Sequence, residues 1–155
     1  MTLPHLTSTG DARMVDVGGK EASAREAVAT GRLVLSAEAV AALRSGTVAK
    51  GDALGVARVA GIMATKRVPD LIPLCHQVAL SGVDVGLDVR DRDVLITVTA
   101  RTTDRTGVEM EALTGVAVAG LALHDMVKAL DPAAVLTDIR LERKTGGKTG
   151  EWTRR

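Results

Sequence analysis

Aromatic residues are nearly absent from this chain of 155 residues, which has no phenylalanine, no tyrosine and one tryptophan, Trp152. Proteins that hold single-stranded nucleic acid stack its bases on aromatic side chains, so that class is excluded. The core must be built from Ala, Val, Leu, Ile and Met, which are small enough to let elements approach closely. With 46% hydrophobic and 25% charged residues, the composition is that of a globular domain rather than a disordered chain.

Excess charge and cysteine are also lacking. Twenty Lys and Arg residues oppose 19 Asp and Glu residues, and without a basic field neither nucleic-acid binding nor membrane attraction is indicated. The one cysteine, Cys75, excludes an internal disulfide and predicts a reducing, cytoplasmic setting. Residues 1–10 lack the apolar core of a signal peptide. The apolar run Ala112–Leu123 is 12 residues long, too short to cross a membrane, and reads as a buried core helix.

Histidine is scarce as well. His5, His76 and His124 are the three in the chain, and their positions show no metal-ligand spacing. We therefore expect no cofactor and no metal held by dedicated protein ligands. The sequence leaves open a Mg²⁺ ion carried in by the phosphates of a substrate.

The first part of the chain predicts a strand followed by two helices. The run Arg32–Leu35 is typical of a strand end, and Ser36 is a suitable N-cap for a short helix after it. Asp52 is a second N-cap. The helix that it begins must stop before Pro69, because the residue before a proline disfavours helix.

The second part predicts two strands, a long helix and a last strand. Apolar and polar residues alternate over 83–89 and 94–100, as in a β-hairpin. A long helix begins at Thr106 or Gly107 and ends near Asp131. This order predicts an α+β, ferredoxin-like fold, an antiparallel sheet with helices on one face. Residues 14–150 would form one domain, after a flexible terminus (1–13) and before a tail (151–155). The last strand alternates Val135, Thr137, Ile139 and Leu141.

The segment Leu71–His76 interrupts these elements and is stiffened by Pro73. It either holds His76 in a fixed functional position or is a buried connection with a hydrogen-bonded histidine. On residue type alone the two interpretations are about even. Cys75 is adjacent to His76 in the chain, so the pair is not expected to be a nucleophile and its base, and Cys75 is interpreted as a packing residue with an inert thiol.

Charged residues occur at both ends of the long helix. Glu109 and Glu111 lie in its first turn, where the helix dipole already favours carboxylates. Asp125 and Lys128 are three residues apart and share a face. They form either a surface ion pair or an acid–base couple with mutually shifted pKa values. The apolar stretch before them tips the balance toward the functional interpretation.

Helix geometry separates these charges. Glu111 and Asp125 lie on nearly the same face but about 21 Å apart along the axis, so either one pocket is long enough for a nucleoside triphosphate or two subunits contribute opposite ends. The surface between them is made of small residues suited to close packing, whose partner (sheet, helix or another subunit) stays open. These residues are Gly115, Ala117, Ala119 and Gly120.

The segment Lys144–Gly150 is basic and rich in glycine. It fails the Walker A pattern because Glu142 stands where that pattern needs glycine. It either folds over a phosphate, using backbone N–H groups and lysines, or is a solvated end.

Motifs throughout the chain carry a resemblance to one family. The motifs are Met14–Val17, Lys50–Asp52, Ala60–Ile62, Lys66–Arg67, Asp70–His76, Thr106–Thr114, Asp125–Ala129 and Lys144–Gly150. In this order they resemble the MoaC family of cyclic pyranopterin monophosphate synthases over residues 14–150. The resemblance implies that a cyclised dihydro-GTP is rearranged to cyclic pyranopterin monophosphate, with release of diphosphate, in molybdenum cofactor biosynthesis. It also implies a homohexamer, a trimer of dimers, with the active site at the dimer interface.

The resemblance also implies roles for individual residues. Asp125 would be the principal acid–base residue, Lys128 its partner and Lys50 a further essential lysine. Rival interpretations are a non-catalytic nucleotide-binding or regulatory paralogue and an oligomerisation protein. The intact set of Lys50, Asp125 and Lys128 argues against a degenerate paralogue. Residues implied to contact substrate or line its pocket are Leu74, Cys75, His76, Met110, Glu111, Glu109, Lys144 and Arg25, and Lys148 joins Lys50 and Lys144 as a candidate phosphate ligand.

Overall fold

The computed structural model describes residues 3–155; Met1 and Thr2, which begin the predicted flexible terminus, lie outside the described residues. The elements are β1 (Ser23–Val34), α1 (Ala37–Ser45), α2 (Ala53–Thr65), α3 (Val68–Leu71), β2 (Leu80–Val89), β3 (Asp93–Asp104), α4 (Glu109–Val127), β4 (Val135–Thr145) and β5 (Trp152–Thr153). The five strands pair antiparallel throughout, in the order β2-β3-β1-β4-β5.

The predicted α+β, ferredoxin-like fold is confirmed. Helix α4 packs on strands β1, β3 and β4, and α2 packs against α4 and β2. The apolar residues of the sheet that face these helices are buried, with Ile96 and Val98 of β3 fully so. This one-sided burial follows from the alternation along each strand, because successive side chains point to opposite faces of a sheet.

The small residues of α4 pack against both α2 and the sheet: Gly115 and Ala119 meet α2, and Gly120 meets Leu136 of β4. A Cβ atom added at Gly61 of α2 would lie 3.0 Å from the Cβ atom of Ala119 and 3.1 Å from the backbone oxygen of Gly115. Across the same contact, a Cβ atom at Gly115 would meet Thr65 and Val98. The two helices therefore approach more closely than larger residues would permit.

Alternation along β4 predicts that Val135 and Leu141 face the same side of the sheet, and this prediction is wrong at the start of the strand. Val135 is exposed, whereas Leu136 and Leu141 pack against the core. Between them Asp138 has a left-handed φ of 55°, at an irregularity in the pairing of β4 with β1. Such a bulge inserts an extra residue and so reverses which later positions face the core. The prediction is therefore right for Leu141 and wrong for Val135.

The face of the sheet that carries no helix is crossed by a row of ion pairs. Arg101 of β3 contacts Asp84 of β2 at 2.6 Å and Glu26 of β1 at 2.8 Å. Arg143 of β4 contacts the other oxygen of Glu26 at 2.5 Å. Opposite charges on neighbouring strands contribute to strand pairing and register, so this face is polar by construction.

The N-terminal residues 3–13 fold back on themselves as a small hairpin, called here the N-terminal hairpin. Leu6 and Ala12 form an isolated bridge, and the N–H of Arg13 donates to the carbonyl of His5 at 2.8 Å. At the other end of the chain, β5 adds Trp152 to the edge of β4 opposite Lys144. The flexibility of the terminus and the predicted domain limits stay predictions.

Helix α4 is long and apolar enough, by length and composition, to cross a membrane. More than half of it is buried inside the fold, against the sheet and α2. This burial is that of a core helix in a globular domain, as expected for Ala112–Leu123.

Replacing Gly61 by valine should lower the free energy of unfolding by about 1–3 kcal/mol, because the added methyl groups meet the rigid backbone of Gly115. The matched control is Gly86→Val on β2, where a new Cβ atom would have only ordinary contacts, at 3.8 and 3.9 Å. Urea denaturation of both variants measures the difference. Equal stability of the two would show that the close approach of α2 and α4 is not a constraint.

Candidate active site

The predicted site residues form two groups, one at each end of α4. At its N-terminal end, the loop residues Leu74, Cys75 and His76 and the first helical turn with Met110 and Glu111 line a cavity of about 300 Å³. The structure therefore unites two of the motifs, Asp70–His76 and Thr106–Thr114. They meet because α3 and the loop that follows it run beside the start of α4.

His76 is held by a single well-defined hydrogen bond. Its Nε2 atom lies 2.5 Å from the backbone carbonyl oxygen of Val15. A carbonyl only accepts, so Nε2 carries a hydrogen, and in the tautomer with its single hydrogen on Nε2 the Nδ1 atom is an acceptor. Both interpretations drawn from the sequence thus apply, because the histidine is hydrogen-bonded and also lines the cavity.

Glu111 is the buried carboxyl of this cavity, with only 4% of its surface exposed. Burial raises its pKa to about 7, and the charge of Glu109 adds to this, whereas a hydrogen bond from the backbone N–H of Glu111 itself acts in the opposite direction. A carboxyl with this pKa exchanges its proton near neutral pH, which suits a general acid or base. The resemblance implied only a binding role for Glu111, and its burial could not be read from a first-turn glutamate.

Cys75 is half-buried beside these carboxyls. Burial, followed by the charges of Glu111 and Glu109, raises the pKa of its thiol. A thiol with a raised pKa stays protonated and is a poor nucleophile. This agrees with the interpretation of Cys75 as a packing residue.

A cationic groove continues from the cavity along the first residues of β1. A second cavity, of about 650 Å³, is lined by Lys20, Ser23, Arg25 and Lys148, and Lys20 lines both cavities. The hydroxyl oxygen of Ser23 is buried without a hydrogen-bond partner among residues 3–155. The groove therefore combines three cations and one carboxylate, Glu21, with a hydroxyl that a ligand oxygen would satisfy.

The glycine-rich segment packs against this groove. Gly146 and Gly147 have φ values of 88° and 74°, a region that favours glycine. Side chains at these positions would also clash with the backbone of Ala24 and the guanidinium of Arg25. Just before them, Lys144 extends from β4 to Glu109 at 3.0 Å. The segment is thus a wall of the groove, and its contact with a phosphate stays a prediction.

The second group lies at the C-terminal end of α4. The carboxylate of Asp125 accepts from Lys128 at 2.8 Å and from Lys50 at 2.9 Å, and Lys50 also donates to the backbone carbonyl of Asp125. Hydrogen bonds from Lys128, and then from Lys50, lower the pKa of Asp125 to about 2. About half of each side chain is exposed, with 56% for Asp125. This group is an ionised carboxylate held between two ammonium groups.

One chain does not bring the two groups together. Glu111 and Asp125 stand about 21 Å apart along α4. None of Lys50, Asp125 and Lys128 lines the cavity of His76. Leu74, His76, Met110 and Glu111 are therefore neighbours as expected, whereas the predicted catalytic residues stand apart from them in a single protomer.

The cavity residues to which the sequence analysis assigned no site role include His5, Val15 and Lys20. Val15 belongs to the motif Met14–Val17, but its contribution is a backbone carbonyl, which no side-chain pattern reveals. Among residues 3–155, no group of three or more His, Cys, Asp or Glu side chains is placed to hold a metal ion.

The titration of Glu111 should appear in the pH dependence of stability. Its pKa is raised on folding from 4.5 to about 7, so folding binds protons in this interval and stability falls as the pH rises through it. Glu111→Gln removes this loss. The variant should gain stability relative to wild type between pH 5 and pH 8, by at most about 3 kcal/mol. Urea denaturation at both pH values, with Glu38→Gln as an exposed control, measures the gain, and a difference independent of pH would contradict it.

Comparison with known proteins gives one family. Residues 14–147 match the MoaC family. A Streptomyces coelicolor protein named cyclic pyranopterin monophosphate synthase is 60% identical over 98% of this chain and 89% of its own length. A Mycobacterium tuberculosis (H37Rv) protein named cyclic pyranopterin monophosphate synthase 2 is 58% identical over 99% and 92%. A Peptoclostridium acidaminophilum protein with the first of these names is 47% identical over 99% and 98%. With a family match over most of the chain and relatives this similar along nearly all of it, the chain belongs to the MoaC family.

Proposed function

We propose that this chain is a cyclic pyranopterin monophosphate synthase. It converts a cyclised dihydro-GTP to cyclic pyranopterin monophosphate and diphosphate, a lyase reaction of molybdenum cofactor biosynthesis. The observation that carries the proposal is the cavity of Leu74, His76, Met110 and Glu111 that continues into a cationic groove. A nucleotide-derived substrate needs both parts, one for its ring system and one for its phosphates.

The substrate lies with its heterocycle in the cavity and its triphosphate along the groove. Leu74, Val78 and Met110 supply apolar walls for the ring system. Lys20, Arg25 and Lys148 supply positive charge for the phosphates, and the buried hydroxyl of Ser23 donates to a phosphate oxygen. Any Mg²⁺ ion would be bound by the substrate phosphates, the oxygen ligands that this ion prefers.

Proton transfer near the ring system is carried by Glu111 and His76. Opening one ring of the substrate and closing another requires repeated proton transfers, which are fastest when the pKa of the transferring group lies near the working pH. Glu111, with a pKa of about 7, meets this condition. The Nδ1 atom of His76 is a second acceptor, because its Nε2 atom is occupied by Val15.

Asp125, Lys128 and Lys50 act as the second catalytic group. The carboxylate of Asp125 is ionised and pairs with both lysines. A phosphate that draws one lysine away removes a cation from the carboxylate, which raises its pKa toward the range of a useful base. The released ammonium then stabilises the charge on the departing diphosphate, together with Lys144.

Two protomers complete one site, in a homohexamer built as a trimer of dimers. The two groups are too far apart in one chain to act on the same bond, so the Asp125 group of one protomer must meet the His76 cavity of its partner. Helix α2 presents an exposed apolar stripe of Val56, Val59 and Met63, which a monomer would leave in water and a partner would cover. The cytoplasmic location stays a prediction.

Mixing two inactive variants tests the shared site. Lys128→Ala and His76→Ala should each abolish product formation while the oligomer persists. After subunit exchange, half of the mixed dimers' sites contain neither substitution, so a random mixture should recover about a quarter of wild-type activity. Product is measured as pterin fluorescence after oxidation, with the substrate supplied by the radical enzyme, GTP and reductant.

Mass photometry before and after mixing controls for assembly, and Ser8→Ala mixed with Lys128→Ala controls for dilution. No recovery in a mixture shown to have exchanged would contradict the shared site. Near-normal turnover by Lys128→Ala would contradict the role of that lysine, and an inactive wild-type chain would favour the non-catalytic paralogue.

A further inference from the structure

The N-terminal hairpin brings a histidine to the cavity from outside the chain's main motifs. Pro4 and His5 line the cavity together with His76, Glu109 and Glu111. They lie roughly 70 residues before His76 and more than 100 before Glu111 in the sequence. These two residues therefore lie where they can contact a molecule bound in the cavity.

The hairpin is built to hold this position. Its turn is closed by the N–H of Thr7 donating to the carbonyl of Asp11 at 2.8 Å, with Gly10 in the left-handed region at a φ of 89°. At the open end of the hairpin, Arg13 donates two hydrogen bonds to the opposite arm. Its backbone N–H donates to the carbonyl of His5 at 2.8 Å, and its Nε atom donates to the carbonyl of Pro4 at 3.0 Å.

A further bond joins the base of the hairpin to the site. Two residues after Arg13, the carbonyl of Val15 accepts from Nε2 of His76. The chain just after the hairpin is therefore bonded to the His76 ring, and the contacts of Arg13 hold the backbone of Pro4 and His5 close to that part of the chain. The imidazole of His5 stays exposed at the cavity wall.

We infer that His5 contacts the heterocycle of the substrate as a further binding residue, held at the cavity by the N-terminal hairpin. The polar groups of the cavity are dominated by acids and cations: Glu109, Glu111 and Lys20. A fused heterocycle presents neighbouring donors and acceptors on its edge. An imidazole offers one of each, and His76 has already committed its donor to Val15. His5 adds a further donor and acceptor on the cavity wall, beside the hydroxyl of Thr106.

This inference rests on the proposed function, since it assigns His5 to the ring system of that substrate. Two measurements keep the two ideas apart. The first is the equilibrium affinity for GTP, a guanine nucleotide that needs no turnover, measured by isothermal titration calorimetry. The second is kcat/KM for the cyclised substrate.

The variant His5→Ala should weaken GTP binding and lower kcat/KM by roughly tenfold or more, since one ligand hydrogen bond is lost. Its thermal midpoint and oligomer mass should match those of wild type, because the side chain is exposed. His5→Asn or His5→Gln, which keep a donor and an acceptor, should recover part of the loss. Ser8→Ala, on the same hairpin but not on the cavity wall, should behave as wild type.

A value of GTP affinity and of kcat/KM within twofold of wild type for His5→Ala would overturn the inference. So would a loss that neither amide variant recovers. If the wild-type chain binds GTP but forms no product, the proposed function fails, and the comparison of His5→Ala with Ser8→Ala in GTP binding still decides the role of His5.

Discussion

The packing of α4 is the constraint on which the rest of the structure depends. Gly115 and Ala119 allow α4 to approach Gly61 of α2, while its other buried residues cover the sheet. A core without phenylalanine or tyrosine has few large side chains to fill space, so it reaches normal density by bringing backbones together. The same close packing fixes the direction of α4 and thereby the places of both groups of site residues.

The two ends of α4 put similar carboxyl groups into opposite environments. Glu111 is buried beside Glu109, and its pKa rises to about 7. Asp125 lies in water between two lysines, and its pKa falls to about 2. Environment rather than residue type divides acid–base work between such groups. Glu111 thus exchanges its proton near neutral pH, whereas Asp125 is ionised and paired with both lysines.

The cavity at the N-terminal end is assembled from parts that are distant in sequence and joined through backbone groups. The carbonyl of Val15 orients His76, and Gly146 and Gly147 let the chain after β4 close over Arg25. Met14–Val17 and Lys144–Gly150 therefore contribute backbone groups to the cavity and its groove, in addition to their side chains.

Local pattern by itself determined the order of strands β1 to β4 and of helices α1, α2 and α4, and it identified which residues form the long apolar helix. Alternation over 83–89 and 94–100 and the caps at Ser36 and Asp52 depend on neighbours in the chain, and the structure keeps them. The family resemblance carried by the motifs also implied that His76 and Glu111 are pocket residues, and both line the cavity. Only the tertiary structure decided what those residues experience. The burial that raises the pKa of Glu111, the bulge at Asp138 that turns Val135 outward, and the placing of His5 and Lys20 beside His76 arise from contacts between distant segments. Desolvation and register depend on what packs opposite a residue, and that partner is absent from the local pattern.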